Sequence, residues 1–173
     1  MYAAVVALCV TFAVPAFQQE PDARTRRVIT EVQHELLTLP YYGVFDNLAF
    51  AVEKGGTVRL LGQVTRPVLK ADAERRVKQI PGVDTVVNEI EVLPVSRVDD
   101  EIRLAVARTI YRTSSLELYG FQVNPPIHII VKNGRVTLEG VVGNESDKTV
   151  AGLKAREVGS VFEVKNNLRV EKN

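Results

Sequence analysis

A seven-residue pattern, identical at alternate positions, occurs twice in this chain. Val58-Arg59-Leu60-Leu61-Gly62-Gln63-Val64 is matched 78 positions later by Val136-Thr137-Leu138-Glu139-Gly140-Val141-Val142. The same offset carries Ala73, Val77 and Ile80 onto Ala151, Ala155 and Val158. It also carries Val83, Val86, Asn88, Ile90 and Val92 onto Val161, Val164, Asn166, Leu168 and Val170. Upstream, Val28, Val32 and Leu36 correspond to Ile102, Val106 and Ile110 at an offset of 74, and a longer loop around Ser114 to Pro126 absorbs the difference. Internal repetition constrains a fold more than composition does. Each copy, at roughly 70 residues, sits near the lower limit for independent stability, so the two copies are expected to pack together.

Both copies read as the same five elements. A helix, roughly Arg24 to Leu39, carries Val28, Val32, Leu36 and Leu39 on one face. In the second copy Asp99 and Asp100 are read as the cap and favourable charge before Ile102, Val106 and Ile110. A strand with alternating Leu48, Phe50 and Val52 follows, matched by Ile127, Ile129 and Val131. Gly55-Gly56 and Asn133-Gly134 mark hairpin turns into a second strand. Pro67 suits the first turn of the next helix, and Asn144 with Asp147 reads as its N-cap in copy two. Pro81-Gly82 and Gly159-Ser160 end that helix, and a last strand covers Thr85 to Leu93 or Glu163 to Val170. The fold class is therefore α+β: two tandem αββαβ modules, each with two helices on one face of a three-stranded sheet. The divisions are a leader at 1–16, a linker at 17–23, modules at 24–93 and 98–171, and a short connection at 94–97.

The string Gly62-Gln63-Val64, a second helix, then Gly82-Val83-Asp84-Thr85-Val86-Val87-Asn88-Glu89-Ile90-Glu91-Val92 resembles the BON family. The second copy gives Gly140-Val141-Val142 and Gly159-Ser160-Val161 through Asn166, Leu168 and Val170, departing by Ser160 between the glycine and the valine. The resemblance implies an envelope-located, non-catalytic binding module. Its relatives associate with phospholipid surfaces, support envelope integrity and osmotic protection, or act as chaperone-like partners. The two-copy, osmotically inducible periplasmic type is the nearest architectural parallel.

The start of the chain agrees with export. Residues 1–17 carry no charge, Ala3 to Val14 are mostly apolar, and Val14-Pro15-Ala16 offers a cleavage position. No Lys or Arg precedes the apolar run, and the run is shorter than the roughly 20 residues that span a bilayer. A periplasmic or otherwise exported location is expected, peripheral to a membrane.

Several chemistries are disfavoured. Cys9 is the one cysteine and His34 and His128 the two histidines, so neither a disulfide nor a Cys/His-rich metal site is expected. A net charge of +1 gives no basic field for nucleic acid, and no GXXG loop or aromatic RNP strand appears. No phosphate-loop motif is present and no nucleophile pairs with a base in recognisable order, so no catalytic residue, metal or cofactor is assigned.

The remaining candidates are structural glycines and surface residues. Gly62 and Gly140 end strands where a side chain would obstruct the backbone, and Gly82 and Gly159 close the second helices. Arg24, Arg26 and Arg27 cluster where a helix begins; they suit an anionic surface such as lipid headgroups, or a solvated helix start. Tyr41, Tyr42 and Phe45 in one copy, and Tyr119 and Phe121 in the other, follow the first helix and suit a membrane interface, a protein groove or the rim of the core. His34 and His128 are read as solvated or outward-facing. The expected function is an exported, non-catalytic protein that binds membrane phospholipid or an envelope protein and supports envelope integrity or osmotic protection. The alternative is a chaperone-like or assembly module without lipid affinity, using β-augmentation at a free sheet edge.

Overall fold

The computed structural model describes residues 22–122 and 124–171; the leader expected at 1–16 lies outside them. The first module runs α1 (Ala23–Leu37), β1 (Asn47–Glu53), β2 (Thr57–Val64), α2 (Pro67–Val77), β3 (Thr85–Asn88) and β4 (Glu91–Val92). The second runs α3 (Arg97–Tyr111), a one-turn α4 (Glu117–Gly120), β5 (Ile127–Lys132), β6 (Arg135–Val142), α5 (Glu145–Arg156), β7 (Glu163–Asn166) and β8 (Arg169–Val170). The class is α+β, in two repeated modules.

In each module the hairpin strands pair antiparallel, and the second of them pairs in parallel with the last strand on its other side. The central strand is thus β2 or β6. A parallel neighbour cannot be reached by a tight turn, so α2 and α5 serve as the crossovers. Val28, Val32 and Leu36 of α1 meet Val58, Leu60 and Val64 of β2 and Leu69, Ala73 and Val77 of α2 in one core. Ile102, Val106, Ile110, Val136, Leu138, Val142, Ala151 and Ala155 build the equivalent core in the second module.

The last strand is expected as one unbroken element, and the structure interrupts it. β3 and β4 keep the same register against β2, but Glu89 and Ile90 between them leave the ladder. The break lies opposite Leu61 and Gly62. Gly62 has φ +113°, and a Cβ on it would stand 2.0 Å from the carbonyl oxygen of Asn47. The central strand therefore bends there, which only glycine allows. Gly140 repeats this at φ +116°, with the virtual Cβ 1.9 Å from the Pro126 carbonyl, beside the break between β7 and β8. Asn88 closes the break: its amide nitrogen donates to the Lys70 carbonyl at 3.0 Å, and its oxygen accepts from the Ile90 N–H at 3.2 Å. Asn166 does the same with Lys148 and Leu168.

Helix starts follow the sequence in part. Pro67 occupies the first turn of α2, and Asn144 accepts the Asp147 N–H at 2.8 Å. The cap of α3 is Ser96, accepting the Asp99 N–H at 3.2 Å, in place of the expected Asp99 and Asp100. Asp99 is instead buried, and its carboxylate accepts the N–H groups of Asn133 at 3.0 Å and Gly134 at 2.8 Å. It pins the β5–β6 turn to the helix. Asp100 pairs with Arg103, which is buried and donates to the Val131 carbonyl at 2.7 Å.

The modules are docked. The Ile129 N–H at the outer edge of β5 donates to the Val44 carbonyl at 2.7 Å, so residues before β1 lie along the second sheet. Phe45 packs against the second module's core. Glu91 pairs with Lys132 at 2.5 Å. Leu93 and Ile130 line one cleft at the junction and are both buried, although Ile130 points away from its own helices. Asp46 holds the docking loop in shape: nearly inaccessible, it accepts the Thr65 N–H at 2.7 Å, the Thr65 hydroxyl at 2.9 Å and the Gly43 N–H at 3.2 Å.

Candidate binding surfaces

The candidate aromatics separate into different environments. Tyr41, at φ +69°, is exposed, and the Arg66 guanidinium lies 5.0 Å from its ring centre. That geometry is a cation–π contact on the surface. Tyr42 is part of the module junction, its ring 5.5 Å from that of His128. Burial pushes its phenol up to about 12. His128 sits at the same junction, and its Nδ1 is buried without a hydrogen-bond partner among the described residues. Burial lowers its pKa, against the opposing pull of the Gly43 and Asp46 backbone and of the Asp46 and Glu139 carboxylates. The outward direction read from the strand pattern is right, but that face is covered by the first module. His34 is exposed.

Tyr119 is half-buried and works as a clamp. Its hydroxyl accepts the Gly143 N–H at 2.8 Å and donates to the Asp147 carboxylate at 2.7 Å. Together with the fully buried Leu116 it fixes α4 against the second module. This clamp leaves Leu118 and Phe121 standing out, 76% and 77% exposed. Large apolar side chains this exposed on a tethered turn form a ready contact surface. Leu118 was not singled out by the sequence. Its spacing of three from Phe121 within the inserted loop is the signal that carries it.

Arg24, Arg26 and Arg27 begin α1, whose N-cap is Asp22, accepting the Thr25 N–H at 2.7 Å. Arg24 and Arg27 border a shallow depression with Pro81 and Gly82. Gly82 has φ +98°, and a Cβ there would meet the Arg24 side chain at 3.3 Å. Gly159 has open space around it and no positive φ. With about 1.5 Å of rise per residue, α1 holds these arginines roughly 15 Å or more from the Tyr41–Tyr42 loop. The named candidates do not converge into one patch.

No group of acidic, histidine or cysteine side chains able to hold a metal occurs among the described residues. No helix among them is long and apolar enough to cross a membrane.

The BON domain model matches this chain twice, over residues 28–94 and 99–172. The chain belongs to the BON domain family. BON domains are non-catalytic binding modules found in periplasmic or membrane-associated proteins. Curated proteins give no match. Among solved structures, one described as structural studies of CdsD, a structural protein of the type III secretion system of Chlamydia trachomatis, is 12% identical. It covers 84% of this chain and 93% of its own, with a TM-score of 0.30. A second, the C-terminal domain of CdsD, is 13% identical, covers 84% and 98%, and has a TM-score of 0.29. At these scores neither BON module inherits anything from CdsD.

Proposed function

We propose that this chain is an exported, non-catalytic binding protein that associates peripherally with a phospholipid surface and, through that association, supports envelope integrity under osmotic stress. The observation that carries the reading is the pair Leu118 and Phe121, held outward by the Tyr119 clamp and the buried Leu116. Moving two such side chains from water into an interfacial layer is worth about 1.5–3 kcal/mol each at most. That gives reversible rather than permanent attachment, and a second, electrostatic signal is needed to strengthen it. Arg24 and Arg27, set apart from α4 on the first module, supply that signal as a second, separate contact, each cation near an anionic surface adding about 1 kcal/mol.

Cosedimentation with vesicles tests this directly. The protein is expected to pellet with phosphatidylglycerol-containing vesicles at low salt, less at high salt, and weakly with phosphatidylcholine alone. Replacing Leu118 and Phe121 together by Ser is expected to abolish pelleting. Equal pelleting of wild type and the double variant would remove α4 from the account.

A further inference from the structure

The two modules share one register, so each position of the second sheet has a counterpart in the first. Ile127 lies opposite Gly140 and Leu48 opposite Gly62, which makes Ile129 the equivalent of Phe50. In the second module the outward-pointing N–H of Ile129 is taken by the Val44 carbonyl of the first module. A backbone contact on the β5 edge, from the Gly43–Asp46 turn, is therefore part of this molecule's own construction. In an antiparallel pair the residue whose N–H turns away from its partner strand repeats every second position. By the shared register, Phe50 turns its backbone outward from β1, an edge strand, and no described backbone group bonds to it there.

A groove of about 350 Å³ runs beside that edge. Leu36 and Leu37 of α1 form one wall and Leu48 and Phe50 the other, with Tyr42 at one end. Arg169, from β8 of the other module, stands at the rim. It is exposed, its backbone pairs with β6, and its guanidinium makes no hydrogen bond or ion pair among the described residues. An apolar trough beside an unpaired strand edge suits alternate side chains of an added strand. A lone guanidinium at its rim suits a carboxylate.

We propose that this groove receives an extended peptide segment of a partner protein, paired along β1 at Phe50, with a peptide carboxylate on Arg169. The segment bonds on the first module to the backbone position that the Val44 turn caps on the second. Its apolar side chains enter the trough between α1 and β1. Because Arg169 comes from the second module, the site is complete only when the two modules are docked. It shares no lining residue with α4, so substitutions can remove either surface separately.

The test is selection from a random dodecapeptide library displayed with free C termini, using the full chain as bait and Arg169→Glu in parallel. Enriched peptides are expected to alternate apolar and polar residues, and to bind Arg169→Glu at least tenfold more weakly. N-methylating alternate peptide amides, which leaves the protein untouched, is expected to weaken binding comparably. Amide resonances of Leu48, Phe50 and Val52 are expected to shift on binding. Loss of affinity on amidating the peptide C terminus assigns the carboxylate to the chain end; retention with dependence on an internal Asp or Glu assigns it to a side chain. The proposal is overturned if no peptide is enriched, or if enriched peptides bind Arg169→Glu equally well and shift residues around α4 instead.

Discussion

Tyr42 and His128 face each other across the boundary between the modules, with ring centroids 5.5 Å apart and planes tilted by 32°. One residue comes from the loop after α1 and the other from the outer face of β5, so the contact exists only in the docked arrangement. Burial there favours neutral imidazole.

A pH dependence follows. Because the folded pKa of His128 is depressed below 6.5, the unfolded chain takes up a proton first as pH falls. Stability is therefore lost as pH drops below about 6.5, until the folded-state pKa is passed. The melting temperature of wild type is expected to fall between pH 7.5 and 5.5 by more than that of His128→Gln. Parallel slopes for the two proteins would show that His128 does not report the junction.

Docking also predicts coupling. Phe45 belongs to the first module yet packs on the second core. Phe45→Ala is expected to cost about 2–3 kcal/mol, below the value for a fully buried Phe because the site is partly exposed. Calorimetry is expected to give one transition for wild type and a broadened or double transition for the variant. An unchanged single transition at the wild-type temperature would argue that Phe45 contributes nothing to docking.

The bend in each central strand gives a paired prediction. Gly62→Val and Gly140→Val each place a Cβ about 2 Å from a backbone oxygen at positive φ, and are expected to cost about 2–4 kcal/mol. For a chain of this size that is roughly 5–15 °C in Tm. Gly159→Ala is the control, with open space and ordinary φ, and is expected to stay within about 0.5 kcal/mol. Wild-type stability in both valine variants would remove the assigned role of the bend.

Much of this architecture was legible because repetition supplied each element twice. The register of Val58–Val64 against Val136–Val142 placed the central strands, and the periodicity of Val28, Val32 and Leu36 placed α1 and α3. Local pattern failed where a residue serves something distant. Asp99 looks like a helix cap because acidic residues favour that end, yet its two acceptors are used by a turn 34 residues away. His128 shows the correct strand parity, but parity does not say whether the outer face meets water or another module. Asp46 carries no motif at all, since its partner Thr65 is 19 residues on. Of the surface candidates, Tyr42 went into the junction and Tyr119 into a clamp, while Leu118 emerged only when α4 was seen to hold it outward.

Asp99 offers a sharp check on that reassignment. Asp99→Ala leaves the buried N–H of Gly134 and the part-buried N–H of Asn133 without their carboxylate partner. The expected cost is about 2–3 kcal/mol. Hydrogen exchange at Gly134 is expected to accelerate while exchange within α3 beyond its first turn changes little. Faster exchange confined to the α3 start, with Gly134 unaffected, would return Asp99 to a capping role.

The central claim is that α4 presents its apolar side chains to a lipid surface. The chain contains no tryptophan, so Phe121→Trp introduces a single reporter at the position in question. Its emission, measured during titration with phosphatidylglycerol-containing vesicles, is predicted to shift to the blue and to become shielded from a water-soluble quencher, and to revert partly on adding salt. Emission that stays at the wavelength of exposed tryptophan and fully quenchable at saturating lipid would contradict the account.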